Sequence, residues 1–223
     1  MDTKSDTKSD TKSDTKSDTN NILLLLPIST NVDESRTKLK KEIRKQQYID
    51  GIKRVLEFEK IKKFDIVVVD NTTTTIDLDI RNIMPFVSEY IAIDKNEYGK
   101  RNPGAGIIDV WGYIQYDIAS YDWVVHFEPR QYMKDFRIFE TFIENPRDIF
   151  MYGDNKKNHY YTGLFTLKTS KLLEYINNVD AKKLTSKKIG LEYSMFEHIK
   201  NVDIVNVMGI RWHDRIKNRY EDL

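Results

Sequence analysis

The sequence predicts an α/β fold: one Rossmann-like domain with a mainly parallel central sheet, helices on its faces and a small antiparallel addition. Three observations predict it. Residues 66–69 of the stretch 64–75 (FDIVVVDNTTTT) are apolar and β-branched without alternation, as in a strand covered on both faces. That run stops at Asp70 and Asn71 and gives way to a polar threonine tract. Segments of helical period then separate successive apolar runs, the order of a parallel sheet with crossover helices.

The elements follow in chain order. DTKS occurs four times between Asp2 and Ser17, with no apolar residue to offset ordering entropy, so 1–20 is expected to be a disordered tail. The domain is expected to span 21–223. Residues 22–28 read as a first buried strand ending in Pro27-Ile28-Ser29-Thr30-Asn31. Asp33 or Ser35 is placed to cap a long helix carrying Leu39, Ile43, Ile49, Ile52, Val55 and Leu56, with Gly51 as a point where it can break. A second strand is expected at 64–69, a short helix or turn at 80–86, a third strand at 88–93 and a loop over 94–106. The spacing of Ile107, Ile108, Trp111, Ile114 and Ile118 predicts a helix over 107–118. A fourth strand follows at 121–127 and a helix at 132–143. Short strands are expected at 149–151 and 163–167, helices at 170–176 and 190–199, and a last strand at 202–207 before a charged tail.

The 223 residues carry 36 Lys+Arg against 35 Asp+Glu, so no basic excess marks a nucleic-acid or membrane-surface binder. Thirteen Tyr, ten Phe and three Trp fit a packed core. The absence of cysteine excludes disulfides, thiolate metal sites and cysteine nucleophiles, and it suits a reducing, cytoplasmic setting. Residues 22–28 are far short of the ~20 needed for a spanning helix, and they lack the flanks of a signal peptide.

Several residues carry candidate chemistry. Open α/β sheets bind ligands beyond the carboxyl ends of their strands, where Asp70 stands, either facing a nucleotide or capping the threonine turn. The loop Asn96-Glu97-Tyr98-Gly99-Lys100-Arg101-Asn102-Pro103-Gly104-Ala105-Gly106 precedes a helix, so its small residues let backbone N–H groups approach an anion and Arg101 can meet a phosphate. It is neither a Walker loop nor a dinucleotide fingerprint. His126 and Glu128 share a side of one strand and could bind a divalent ion; the alternative is a hydrogen-bonded histidine with Arg130 paired to an acid. Glu192 stands in a first helical turn, favoured there by the dipole or used as a base. His213, beyond the last strand, is a further possible metal ligand or a surface histidine.

Taken in order, these features resemble a nucleotide-sugar glycosyltransferase of the GT-A fold. The series is Pro27-Ile28-Ser29-Thr30, then VVVDN at 67–71, the glycine loop, DWVVHFE at 122–128, YYTGLFTL at 160–167, Glu192 and His213. The resemblance implies that Ser29, Thr30, Asp70 and Asn71 face the base and ribose of a nucleoside-diphosphate sugar. Asn96, Arg101 and Gly104 would lie near ribose and diphosphate, and Gly163 in the floor for a glycan or other hydroxyl acceptor. Glu192 would be the base of an inverting transfer. His126, Glu128 and His213 would hold Mn²⁺ or Mg²⁺, although His-x-Glu departs from the family's Asp-x-Asp. Without a metal, Lys100, Arg101 or Arg130 would have to stabilise the leaving diphosphate. Two other readings stay open: a sugar nucleotidyltransferase, against which the glycine-free turn after the first strand counts, and a binding module that keeps the fold without the chemistry.

Overall fold

The first strand, β1 (Ile22–Ile28), is buried along its whole length, as its unbroken apolar run requires. The computed structural model describes residues 21–32, 40–85, 88–99, 101–153, 158–214 and 219–222, with backbone alone from 212 onward. The expected tail at 1–20, the capping candidates Asp33 and Ser35, Leu39, Phe86 and Lys100 lie outside the described residues.

Two more strands, β2 (Asp65–Asp70) and β3 (Glu89–Ala92), run parallel to β1 on one side, and β4 (Trp123–Phe127) runs parallel to it on the other. Next to β4 lies β7 (Tyr160–Lys168), antiparallel, followed by β6 (Ile149–Tyr152) and β8 (Asp203–Ile204), which gives the seven-stranded order β3-β2-β1-β4-β7-β6-β8. A single reversed strand therefore interrupts an otherwise parallel sheet. A second, antiparallel sheet of three strands joins β5 (Tyr132–Met133), β9 (Ile210–Asp214) and β10 (Arg219–Asp222).

Helices cover both faces. On one side, α1 (Lys41–Leu56), α2 (Leu78–Ile83) and α5 (Arg137–Glu144) meet the even-numbered residues of β1 and β2, among them Leu24, Leu26, Ile66 and Val68. On the other, α3 (Pro103–Tyr113), α4 (Gln115–Ile118), α6 (Thr169–Asn178), α7 (Ala181–Lys187) and α8 (Leu191–His198) cover Leu23, Leu25, Val67 and Val69. Each fully buried aliphatic side chain contributes about 1.5–3 kcal/mol, so this two-sided burial is the main force holding the sheet. No helix among the described residues is long and apolar enough to cross a membrane.

Where the elements differ from expectation, a tertiary partner explains it. The segment expected as a helix over 132–143 begins as strand, because Tyr132 and Met133 pair with Arg211 and Ile210 of β9. The charged tail forms the β9–β10 ladder, and only two residues of the expected last strand join the sheet. The helix expected over 107–118 is two helices, starting earlier because Asn102 caps α3 with Pro103 in its first turn. The short helix α7 has no counterpart in the expected elements. Gly51 does not break α1; the helix lies so close to the end of β4 that a Cβ there would collide with the Pro129 carbonyl.

Candidate active site at the strand tips

Beyond β1 and β2 the parallel register continues into two stacked polar pairs, one toward each face. On the α1 face, Asp70 is fully buried and its carboxylate is saturated. Oδ2 accepts from the Thr30 N–H (3.3 Å) and the Thr30 hydroxyl, and Oδ1 from the Thr72 N–H (2.9 Å) and hydroxyl (2.6 Å). Such a carboxylate fixes the two turns to each other, so the turn-capping alternative for Asp70 is the one its surroundings match. On the α3 face, the Ser29 hydroxyl donates to Asn71 Oδ1 (2.9 Å), and Asn71 Nδ2 donates to the Gly106 carbonyl in the first half of α3 (3.3 Å).

That last bond starts a chain of contacts running from the strand tips to the start of α8. The Asn96 carboxamide rests against Gly99 and Gly106. Asn102 accepts from the N–H groups of Gly104 (3.1 Å) and Ala105 (3.4 Å), and its Nδ2 donates to the Ile189 carbonyl (2.8 Å). Leu191 packs on Gly104, which admits it only because it has no side chain. The N-terminus of α8 is thereby clamped to that of α3, and Glu192, half-buried in the first turn of α8, folds back over Gly190. Arg101 is exposed in the turn after Tyr98.

On the other flank, Glu128 follows β4, is half-buried, and its backbone N–H donates to the Gly163 carbonyl of β7 (2.8 Å). A turn closed by the Gln131 N–H on the Glu128 carbonyl (2.9 Å) carries Pro129 and Arg130 at its centre. Arg130 is 2% exposed, and its guanidinium lies 5.9 Å from the centroid of the Tyr48 ring. Arg44, from the first turn of α1, lies 5.6 Å from the same centroid and donates to the Ser29 carbonyl (2.8 Å) and the Tyr48 hydroxyl (3.2 Å).

His126 occupies a different setting from the metal role expected of it. Its ring is 1% exposed, stacks on Phe165 at 4.7 Å and meets the edge of Trp111 at 5.4 Å. Burial lowers its pKa to about 4, against a weaker opposing pull from Glu128, so the imidazole is neutral near pH 7. The backbone of His213 lies in β9 opposite Tyr220; its side chain is outside the described residues. Among the described residues, no group of three His, Asp or Glu side chains could hold a metal ion. Of the donors expected for Mn²⁺ or Mg²⁺ whose side chains are described, His126 does not fit, because its imidazole is enclosed by aromatic rings, and Glu128 is half-buried. Sequence reasoning singled out Glu128 and Glu192 but missed the clamping role of Asn102 and the enclosure of Arg130; a cap residue before Pro103 was the available sign of the first. Two surface cavities lie elsewhere, one of about 170 Å³ beside Leu23 and Ile118 and one of about 190 Å³ between α6, α7 and α8.

No family model matches the sequence, and no curated protein matches it. Solved structures do match the fold. One is 4-diphosphocytidyl-2C-methyl-D-erythritol synthase from Anaerococcus prevotii, at TM-score 0.51 and 9% identity, over 85% of this chain and 88% of that one. Another is the mannosyltransferase PcManGT from Pyrobaculum calidifontis, in complex with GDP-Man and Mn²⁺, at TM-score 0.51 and 10% identity, over 84% of this chain and 54% of that one. At these identities the likeness is one of fold: this chain has the GT-A-like fold found among nucleotide-diphospho-sugar transferases.

Proposed function

We propose that this chain is a glycosyltransferase that moves a sugar from a nucleoside-diphosphate sugar, UDP-linked in the first instance, to a hydroxyl acceptor such as a glycan. The observation that supports it most is the continuous polar chain from Ser29 and Asn71 through Gly106 and Asn102 to the start of α8, the helix whose first turn carries the carboxylate of Glu192. In this reading Ser29, Asn71, Asn96 and Arg101 meet the nucleotide, and Asp70 with Thr30 holds the turns that present them. Gly163 and Glu128 border the acceptor and the reacting carbon. Glu192 takes the acceptor proton as the acceptor oxygen bonds the anomeric carbon. The carbon–oxygen bond to the diphosphate breaks, and its electron pair leaves on the nucleoside diphosphate. One displacement of this kind inverts the anomeric configuration. The reading takes 21–223 as a single catalytic unit, and the lack of cysteine suits a cytoplasmic place of action. No step is routed through a metal, because among the described residues His126 is enclosed by aromatic rings and no group of three His, Asp or Glu side chains comes together.

A thermal-shift panel of nucleotide sugars tests the proposal, since a ligand that binds only the folded state raises Tm. A rise with a nucleoside-diphosphate sugar, release of nucleoside diphosphate with a hydroxyl acceptor, and loss of turnover but not of binding in Glu192→Gln are expected. No rise with any such sugar would sink it.

The likeness over most of the erythritol synthase supports a second reading, nucleotidyl transfer from a nucleoside triphosphate to a sugar phosphate. It predicts release of pyrophosphate rather than of nucleoside diphosphate.

A further inference from the structure

The stretch 181–191 (AKKLTSKKIGL) holds four lysines and no acid, in a chain whose net charge is only +1. It forms α7 and the entry to α8. Lys182, Lys183, Lys187 and Lys188 are all exposed, and none has an ion-pair partner among the described residues. Asp180, the nearest acid in sequence, caps the helix by accepting from the Lys183 N–H (2.9 Å). The helix is roughly 10 Å long at its rise per residue, so the four charges lie within about one Debye length at 0.1 M salt and their fields add. Lys183 and Lys187, four residues apart on one face, repel each other. Lys188 stands in the left-handed conformation (φ 55°), pinned by its own N–H on the Thr185 carbonyl (3.3 Å) and by the Ile189 N–H on the Leu184 carbonyl (2.9 Å). Glycine takes this cap without strain, so the fold itself does not ask for a lysine there. The patch also borders the candidate site. Asn102 holds the Ile189 carbonyl, so Lys188 and the exposed Arg101 each stand one residue from an end of that bond, and Glu192 follows Lys188 by four residues.

We infer that α7 and its lysine cap are the docking surface for a polyanionic acceptor, a glycan chain bearing repeated phosphate or carboxylate groups, whose hydroxyl is thereby brought to the first turn of α8. The inference rests on the proposed function for the role of Glu192 and deepens it by naming the charge of the acceptor. A repeating anion suits this surface because one exposed lysine pair contributes little. Several lysines engaged at once release several counterions, and their effects sum. A bilayer suits it less. The apolar side chains of α7, Ala181 and Leu184, pack into the core beneath the helix and leave nothing apolar to enter lipid.

The test measures binding of inorganic polyphosphate, polygalacturonate, neutral dextran and phosphatidylglycerol vesicles to the full chain at low and at raised salt. The same titrations are run on a variant with Lys182, Lys183, Lys187 and Lys188 all changed to Gln, and on Lys188→Gly. At least one of the two polyanions is expected to bind the wild type, to weaken as salt rises, and to weaken roughly tenfold or more in the fourfold variant. Dextran is expected not to bind. Lys188→Gly is expected to keep or raise the unliganded Tm, because glycine relieves the left-handed backbone, and still to weaken the polyanion. Wild type that binds neither polyanion, a fourfold variant that binds as wild type does, or vesicles bound tighter than both polymers overturns the inference. So does a Lys188→Gly variant with a lowered Tm and unchanged binding, the mark of a structural cap. The rise in Tm with a nucleotide sugar is read separately on the fourfold variant. If that rise persists while the polyanion arm fails, glycosyl transfer stands and the acceptor assignment falls. If the polyanion arm succeeds and no nucleotide sugar raises Tm in any variant, the docking surface stands and the transfer reading falls.

Discussion

Thr72 grips Asp70 twice, through its N–H at 2.9 Å and its hydroxyl at 2.6 Å, both on Oδ1. Thr30 does the same on Oδ2, so the carboxylate ties the end of β1 to the end of β2 with no lone pair left over for a base or ribose. An amide in its place can accept on one side only. Asp70→Asn is therefore expected to lose about 2–3 kcal/mol of stability, read as a lower urea midpoint at unchanged m-value. An unaltered midpoint would show that the four donors are satisfied by solvent.

Gly51 and Gly112 form a matched test of packing. A Cβ at Gly51 meets the Pro129 carbonyl, whereas nothing lies within 4 Å of one at Gly112. Gly51→Ala is expected to cost about 1–3 kcal/mol by prying α1 from the end of β4. Gly112→Ala is expected to add about 0.5–1 kcal/mol through helix propensity. Opposite signs in denaturant melts check the pair; equal signs would refute the close approach.

His126 makes stability depend on pH. Its folded pKa, about 4, lies below the ordinary histidine value of 6.5. Between those values the unfolded chain binds the extra proton, so stability rises with pH across this window. The contribution is complete above pH 6.5 and is lost as pH falls toward 4; the gap amounts to on the order of 3 kcal/mol. His126→Phe, which keeps a ring on Phe165, is expected to flatten the slope of unfolding free energy between pH 4 and 6.5. A slope unchanged by this replacement would place the proton elsewhere.

Asn102 joins two helices. Its side chain caps α3 and holds the Ile189 carbonyl before α8. Asn102→Ala is expected to cost about 1–2 kcal/mol, measured by chemical unfolding. Asn102→Asp keeps the cap acceptor but loses the donor to Ile189, so it should recover part of that loss while hydrogen exchange at the start of α8 stays accelerated. Full recovery of protection would mean that the Ile189 bond contributes nothing.

Much of this was legible in the sequence where burial is two-sided. The runs of β1 and β2 and the helical spacing from Ile107 onward declared themselves because a continuous apolar string has few other uses. Tyr132, Met133 and the charged residues of β9 and β10 gave no such sign, since their pairing is set by distant partners on a small sheet. At the site, the order of polar residues after each strand marked the strand tips as candidates, but not which carboxylates are already spoken for. Asp70 looked available because its threonine donors are recognisable only once two turns lie side by side. His126 looked like a ligand because strand alternation aligns it with Glu128, while the aromatic enclosure by Trp111 and Phe165 comes from two other elements.

The seven-stranded sheet ends on one margin in β3, four residues long, and on the other in β8, only two. Each margin offers a neighbouring polypeptide few free amide and carbonyl groups to zip onto. Copies of this protein that meet in a crowded solution thus find only a short template for ribbon-like pairing along either margin of this sheet.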